Sequence, residues 1–203
     1  MNITKITAQV KTPGRYSVFV DEKYAFSLSD TALLESKLVP GQELSKEELD
    51  SWKQASADDK VLGRTLQYAM IRPRSTWEMQ SYLQRKKAAP PLIDLILNKL
   101  SNLRMLDDEA FARSWVANRR LLRPTSKRKL QQELKAKRVA NDIIEQVLAE
   151  DETDENDVLQ QLVAKKRQQT KYKNDDLKLM QYLARQGFSY GDIKSALEVE
   201  DVN

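Results

Sequence analysis

The chain contains no cysteine and no histidine, and it has only five glycines among 203 residues. A Ser-His-Asp triad, a Cys-His nucleophile pair and the usual zinc sites are therefore excluded. None of the glycines forms a G-x-G-x-x-G or Walker-type loop, so neither kind of nucleotide site is expected. No apolar run approaches about 18 residues, and the first residues alternate polar and apolar. We expect a cytoplasmic protein without a transmembrane helix or signal peptide.

Carboxylates offer the remaining route to catalysis, since Asp and Glu can hold magnesium. The candidates are Asp107-Asp108-Glu109 and Asp175-Asp176. Both groups precede helical patterns, where acidic side chains cap the helix and offset its dipole. We interpret them as caps and predict that the protein is not an enzyme and uses no metal or cofactor. A nuclease that depends on Asp107 and Asp108 is the alternative, and magnesium-dependent cleavage would support it.

Positive charge is concentrated in the middle of the chain. Residues 60–138 hold 19 Lys and Arg against 6 Asp and Glu, although the net charge of the whole chain is only +4. Acidic residues outnumber basic ones in residues 1–59 and again in residues 139–203. A local field of this size attracts polyanions. The distribution predicts a nucleic acid, or a protein already bound to one, as the partner.

The first 57 residues have the pattern of short strands. Apolar residues alternate with polar ones before and after Pro13-Gly14, and Asp21-Glu22-Lys23 fits a hairpin loop. Ser29 or Asp30 can cap one short helix, and the capping box from Ser45 to Glu48 begins a second. We predict a subdomain over 1–57 with strands and two short helices, followed by a separate helix that contains Leu62 and Leu66.

A self-similar helical pattern follows. Leu83, Leu134 and Leu183 occupy equivalent positions 51 and 49 residues apart, and a capping residue lies eight positions before each: Ser75, Ser126 and Asp175. The pattern predicts a mainly α protein with three tandem three-helix repeats over 58–105, 106–150 and 151–203, stacked in an elongated curved array. The aromatic side chains assigned to the repeat cores or their junctions are Trp77, Phe111, Trp115 and Phe188.

Basic residues recur near equivalent helix ends. Cations at a helix C-terminus complement the dipole, but Lys127-Arg128-Lys129 lie at a helix start, where cations are disfavoured. With Arg123 they are the first candidates for contacting a ligand. The full predicted binding set is Arg72, Arg74, Arg85, Lys86, Lys87, Arg119, Arg120, Arg123, Lys127, Arg128, Lys129, Lys135, Lys137, Arg138, Lys165, Lys166 and Arg167.

Several linked motifs resemble the RecX family. They are Arg72-Pro73-Arg74-Ser75, Tyr82-Leu83, Leu106-Asp107-Asp108 with Phe111-Ala112, Trp115-Val116 with Arg119-Arg120, and Glu133-Leu134. The resemblance implies tandem three-helix repeats and no catalysis. From the residues themselves we expect no membrane partner, and an elongated array suits binding along another polymer rather than holding a small-molecule substrate. The resemblance further implies a regulator, mainly an inhibitor, that binds the filament of the recombinase RecA on single-stranded DNA. Reduced RecA ATPase, co-protease and strand-exchange activities are then expected, and double-stranded DNA is a further candidate ligand.

The residues leave two other functional interpretations open. The helix pair in repeat 2, with 126–138 as a recognition helix, has the length of a helix-turn-helix, so a free-standing DNA-binding protein or transcriptional repressor is the main alternative. A helical scaffold for an acidic protein is the second. The repressor predicts sequence-preferring duplex binding without recombinase, and the scaffold predicts no affinity for DNA.

Overall fold

The computed structural model of the protein describes residues 1–200, which contain three strands and ten helices. The strands are β1 (Ile3–Ala8), β2 (Arg15–Val20) and β3 (Lys23–Ser29). The helices are α1 (Asp30–Ser36), α2 (Lys46–Ile71), α3 (Thr76–Arg85), α4 (Pro90–Asn102), α5 (Asp108–Leu122), α6 (Lys127–Ala136), α7 (Asn141–Ala149), α8 (Glu155–Arg167), α9 (Asp176–Arg185) and α10 (Tyr190–Glu200). Two compact units result: the first comprises residues 1–72 and 79–103, and the second 73–78 with 104 onward.

The amino-terminal sheet is antiparallel, with strand order β1-β2-β3. Asp21 and Glu22 form a two-residue turn, both with positive φ, which matches the twist of a tight hairpin and confirms the predicted loop. One face of the sheet is apolar: Val18 pairs with Phe26, and both are buried in a core completed by Leu38, Leu44 and Leu49 among others.

Helix α2 differs from the sequence-based expectation. Its capping box is confirmed, because the Glu48 N–H donates to Ser45 Oγ and the Ser45 N–H donates to Glu48 Oε2. The helix is continuous over 26 residues in all, so the expectation of a short helix and a separate one around Leu62 was wrong. No proline interrupts this stretch, and its single glycine does not end the helix. The domain division at residue 57, which remains a prediction, falls inside α2.

The three-helix repeats are confirmed. Repeat 1 uses the second half of α2 with α3 and α4, repeat 2 comprises α5 to α7, and repeat 3 comprises α8 to α10. Leu83, Leu134 and Leu183 are fully buried, as their equivalence predicts. Repeats 2 and 3 each surround their own apolar cluster, built on Phe111 and Phe188 respectively. Trp77 departs from its expected core position, because 39% of it is exposed.

The acidic residues at helix starts act as caps. Asp107 accepts hydrogen bonds from the Glu109 and Ala110 N–H groups, and Asp175 accepts one from Lys178 N–H. Asp108 caps a different helix, α3, by accepting from Thr76 N–H at 2.7 Å. In the described part of the chain, no group of three or more acidic side chains is arranged to hold a metal ion. Within residues 1–200, no helix combines the length and apolar character needed to cross a bilayer.

Within the second unit, the segment 73–78 contacts the end of α6, and residues 125 and 126 contact the end of α9. We call these two sets of contacts the repeat 1–2 junction and the repeat 2–3 junction. At the repeat 1–2 junction, Ser75 Oγ donates to the carbonyl of Lys137, which ends α6. At the repeat 2–3 junction, Thr125 Oγ1 and Ser126 N–H both donate to the carbonyl of Gln186, which ends α9. Each junction therefore places the N-terminus of one helix at the C-terminus of another. This head-to-tail order brings opposite dipole ends together.

Candidate nucleic-acid interface

A cleft of about 490 Å³ lies in the second unit, between repeats 2 and 3. Six basic side chains line it, against the single carboxylate of Glu133; we call it the central basic cleft. The six are Arg119, Arg123, Lys129, Lys165, Lys166 and Arg185. Five of them belong to the set predicted from the sequence, so the fold brings residues from four helical segments to one place.

The ends of three helices supply most of this charge. Arg119 lies in the last turn of α5 and Arg123 caps it, Lys165 and Lys166 lie in the last turn of α8, and Arg185 is the last residue of α9. Cations at these positions stabilise their helices through the dipole, so the fold tolerates this concentration of like charge. The cleft is a consequence of where the repeats place their helix ends.

Four of the six cations have no acidic partner among the described residues: Arg123, Lys129, Lys165 and Arg185. Lys129 is half-buried and the other three are exposed. Uncompensated cations around a concave surface focus positive potential and raise the local concentration of anions. The cleft is therefore chemically suited to phosphate groups or carboxylates.

Arg119 is held rigidly at one side of the cleft. Its Nε donates to Glu133 Oε2 at 2.7 Å, and the same oxygen accepts from Trp115 Nε1 at 2.9 Å. The Arg119 guanidinium also lies over the Trp115 ring, 4.8 Å from its centroid. These contacts fix the orientation of the guanidinium and neutralise much of its charge, so its main contribution is to the shape of the cleft.

An aromatic pair borders the other side. Lys166 Nζ lies 4.5 Å from the Tyr182 ring centroid and 5.7 Å from that of Tyr172. Burial, followed by the neighbouring Tyr172, raises the pKa of the Tyr182 hydroxyl above its ordinary value, so this group stays neutral. Arg167 instead donates to the Tyr172 carbonyl and pairs with Asp176 at 2.5 Å. Lys166 therefore lies at the cleft over the two rings, whereas Arg167, the next residue in the sequence, is bonded to the Tyr172 carbonyl and to Asp176.

Arg120 and Lys127 are engaged inside the fold. Arg120 pairs with Asp151 at 2.6 Å and also donates to the Thr125 carbonyl, and only 12% of its side chain and 7% of that of Asp151 are exposed. Burial opposes ionisation of Asp151, but hydrogen bonds from Arg120 and Thr153 and the Arg120 charge outweigh it and lower the pKa of the carboxyl. Lys127 Nζ donates to the Asp151 carbonyl at 2.6 Å.

The basic start of α6, which singled out these residues in the sequence, has an acidic counterpart from repeat 3. A Glu155 carboxylate oxygen accepts from the backbone N–H of Lys127, and so compensates the helix N-terminus. The basic trio then divides. Lys129 lines the central basic cleft. Lys127 is bonded to the Asp151 carbonyl. Arg128 is exposed, has no acidic partner within the described residues and does not line the cleft.

The remaining predicted residues lie elsewhere. Lys137 pairs with Glu78 at 2.6 Å and lies over Trp115, whereas Lys135 and Arg138 are exposed at the end of α6. Arg74 is buried. Four more predicted residues are exposed: Arg72, Arg85, Lys86 and Lys87. Their role in binding stays a prediction.

Arg185 lines the central basic cleft but is absent from the set predicted from the sequence. It ends α9 at the position equivalent to Arg85 of α3, since each lies two residues after the matched leucine. The repeat alignment that named Arg85 therefore contained the signal for Arg185. The composition of repeat 3, which is acidic overall, made its cations less conspicuous.

Comparison with known proteins adds identity to this geometry. The family model described as the regulatory protein RecX N-terminal domain matches residues 1–45, and that of the second three-helix domain of RecX matches 107–148. The regulatory protein RecX of Bacillus subtilis is 30% identical over 200 residues, covering 97% of this chain and 76% of that protein. The chain belongs to the RecX family. The match at 1–45 extends membership to the segment where the sequence motifs were least informative.

Other relatives agree with this membership. The regulatory protein RecX of Lactobacillus johnsonii is 39% identical over 153 residues, which cover 75% of this chain and 56% of that longer protein. A crystal structure of a regulatory protein RecX superposes with a TM-score of 0.73 at 26% identity, covering 97% of this chain and 98% of the other. RecX from Lactobacillus salivarius has the same fold over 73% of this chain, with a TM-score of 0.59.

Proposed function

We propose that this protein regulates the RecA recombinase, mainly as an inhibitor, by binding the RecA filament on single-stranded DNA through the central basic cleft. It carries out no catalytic step of its own. The observation that carries the proposal is the gathering of Arg123, Lys129, Lys165 and Arg185 in one cleft without acidic partners among the described residues. The family resemblance supplies the identity of the partner, and the cleft supplies a surface that fits it.

The chemistry of the cleft fits a nucleoprotein better than free phosphate alone. Unpaired Lys and Arg side chains bind DNA phosphates or acidic protein side chains. Binding to DNA also releases the counterions condensed on its phosphates. The Leu122 and Tyr182 side chains add apolar surface to the same lining. A RecA filament presents DNA phosphates and protein side chains close together. The cleft can therefore contact both at the same time.

Inhibition then follows from preferential binding. A ligand that binds one state of the filament more tightly than others shifts the population towards that state. If the protein binds the filament in a state that does not extend or turn over ATP, ATP hydrolysis, co-protease activity and strand exchange all fall together. Catalytic residues in this chain are not needed for any of the three effects.

The structure gives the repressor alternative less support. A recognition helix uses its N-terminal residues to contact base edges. At the start of α6, Ser126 is buried and bonded to Gln186 of repeat 3, and the Lys127 N–H is bonded to Glu155. The end that would enter a major groove is therefore already packed against the next repeat.

The decisive experiment is RecA ATP hydrolysis on single-stranded DNA during substoichiometric titration of this protein. We expect inhibition by the native chain, and at least tenfold weaker inhibition by the triple variant Arg123→Glu, Lys129→Glu and Lys165→Glu. A control variant with the same charge change at exposed positions outside the cleft, Lys46→Glu, Lys99→Glu and Lys173→Glu, should inhibit normally. Equal inhibition by all three proteins would exclude the cleft, and no inhibition by the native chain would exclude the function.

A further inference from the structure

A second cleft, of about 510 Å³, lies wholly in the first unit, between the sheet and the second half of α2. We call it the amino-terminal cleft. The cations Arg15, Lys60 and Arg64 line it with the amides Gln9 and Gln67 and the ring of Tyr24. No carboxylate is among its lining residues in the described structure. The central basic cleft does not explain this second concentration of cations and polar groups.

The α2 side of the cleft has an unusual composition for a helix face that meets a sheet. Lys60, Gly63, Arg64 and Gln67 follow the spacing i, i+3, i+4, i+7, which in a globular protein normally carries the apolar contact. Here the face is cationic and polar. Neither Lys60 nor Arg64 has an acidic partner within residues 1–200. Two cations one helical turn apart therefore point to an external anion.

Gly63 has no structural reason to be glycine. A glycine inside a helix destabilises it by about 1 kcal/mol relative to alanine. Its φ is that of ordinary helix, and a Cβ built on it meets no atom within 4 Å. The space above Gly63 is thus open within the protein itself. A glycine at the wall of a cleft, with no atom of the protein above it, leaves room for a ligand to approach the helix backbone closely.

The sheet side of the cleft is polar and rigid. Arg15 pairs with Asp59 of α2 at 2.9 Å and donates to the Ser27 carbonyl. Asp59 also accepts from the backbone N–H and the hydroxyl of Ser29, and Ser56 bonds to the Ser27 backbone. These contacts use the charge of Arg15 and block the β3 edge. The unpaired cations of this cleft therefore lie on α2. The ion pair of Arg15 with Asp59 and the hydrogen bonds between β3 and α2 hold the two walls of the cleft in fixed positions.

Aromatic rings accompany the cations on the same sheet face. Phe19 pairs with Tyr24 across β2 and β3, on the face opposite to Val18 and Phe26. The two rings meet edge to face at 6.2 Å, and 53% of Tyr24 is exposed. Lys5 lies over the Phe19 ring at 5.8 Å. An exposed ring on a polar sheet face, with a half-buried second ring against it and cations nearby, forms the kind of platform on which unpaired bases stack.

We propose that the amino-terminal cleft is a second binding site, for a single-stranded nucleic acid. Lys60 and Arg64 contact backbone phosphates, a base stacks on Tyr24, and the Gln67 amide hydrogen-bonds a base edge. The strand backbone passes over Gly63, where a side chain would obstruct it. An acidic peptide would use the two cations but not the exposed ring, so the nucleic acid accounts for more of the observations.

The test uses the full chain with Arg123→Gln, Lys129→Gln and Lys165→Gln, which weaken the central basic cleft. The probe is a labelled twelve-residue oligothymidylate, without recombinase. We expect residual binding that falls about tenfold with Lys60→Gln and Arg64→Gln together, with a salt slope shallower by about 1.4. Gly63→Met should weaken binding without changing charge and raise the Tm by about 2 °C, since methionine favours helix. Ala57→Met, on the exposed surface of the same helix, is the matched control and should leave binding unchanged.

Cross-linking locates the strand. An oligonucleotide carrying 5-iododeoxyuridine should form adducts with Tyr24 or Phe19 in the same protein. Adducts confined to residues 119–185, or equal binding by the Gly63→Met and Ala57→Met proteins, would overturn the proposal. So would binding of a glutamate-rich peptide in the absence of oligothymidylate binding. Because recombinase is absent from every assay, failure here is distinct from failure of the proposed inhibition.

Discussion

The two repeat junctions use the same backbone arrangement but different side chains. In both, a Ser or Thr at the start of one helix holds the last carbonyl of the next repeat's second helix. At the repeat 1–2 junction, Glu78 and Lys137 form an ion pair, of which the carboxylate is only 10% exposed. The equivalent positions at the repeat 2–3 junction are Lys129 and Gln186, which cannot form one. The Glu78–Lys137 pair is therefore electrically neutral, whereas Lys129 has no acidic partner among the described residues.

The two junctions therefore share the hydrogen bonds that connect the repeats and differ in the charge that they expose. Stacking depends on hydrogen bonds to helix ends, which both junctions retain. The availability of positive charge depends on whether position 78 or its equivalent 129 is acidic or basic. Lys129 lies in the central basic cleft, whereas Glu78 neutralises Lys137. Under the proposed function, the hydrogen bonds are kept at both junctions, and the cation that would bind a ligand is available at only one of them.

The largest expected difference concerns the residue after each helix end. Gly187 has φ of +96°, and a Cβ there would meet Ser126 Oγ and come within 2.8 Å of Lys129 Cβ. Gly187→Ala should therefore lower the free energy of unfolding by about 3 kcal/mol. At the equivalent position, Arg138 already has a side chain at φ +58°, so Arg138→Gly should change it by less than about 1 kcal/mol. Denaturant unfolding measures both, and equal losses would contradict the close packing of the second junction.

The ion pair of Arg120 with Asp151 stabilises the second junction, since Arg120 also holds the Thr125 carbonyl. Asp151→Asn should cost about 2–3 kcal/mol at neutral pH because it leaves a buried guanidinium without its counter-charge. The folded pKa of Asp151 is below its ordinary value of 3.8, so this stabilisation is present above that value and disappears as the pH falls through the folded pKa. The stabilities of native and variant proteins should converge in acid. Glu152→Gln, an exposed neighbour, should have no effect at any pH.

A smaller effect tests the neutral junction directly. Glu78→Gln should lower the free energy of unfolding by about 1–2 kcal/mol, because Lys137 loses its largely buried partner. Lys129→Gln, the matched change at the second junction, should alter stability by less than about 0.5 kcal/mol but weaken binding to the filament. Urea denaturation and filament binding measured on both variants check this. Similar stability losses would mean that the two junctions do not differ as described.

Local signals predicted much of the fold. The capping residues at Ser45, Ser126 and Asp175, and the turn at Asp21-Glu22, act over a few residues and were readable from the sequence. The equivalence of three leucines predicted the repeats, because the equivalent positions are buried in all three and repeats 2 and 3 each form an apolar core from their own residues. The continuity of α2 was not predicted, because the capping box marks where the helix begins but no local signal in the sequence marks how far it extends.

The candidate site was only partly predictable. Paired and unpaired cations look alike in a sequence, and Lys137 and its partner Glu78 are 59 residues apart. Likewise, the pairing of Arg120 with Asp151 spans 31 residues and depends on how repeats 2 and 3 pack. The sequence predicted where positive charge is plentiful. Which cations remain available was decided by long-range contacts, and these separated Arg123 and Lys129 from Arg120 and Lys137.

The salt dependence of binding to RecA-coated single-stranded DNA tests the central claim most directly. Each phosphate contact on a single strand contributes about 0.7 to the slope of log affinity against log salt. Replacing Arg123, Lys129, Lys165 and Arg185 by glutamine should make this slope shallower by about 3 and weaken binding at low salt. A slope and an affinity unchanged by all four substitutions would show that the central basic cleft does not contact the filament.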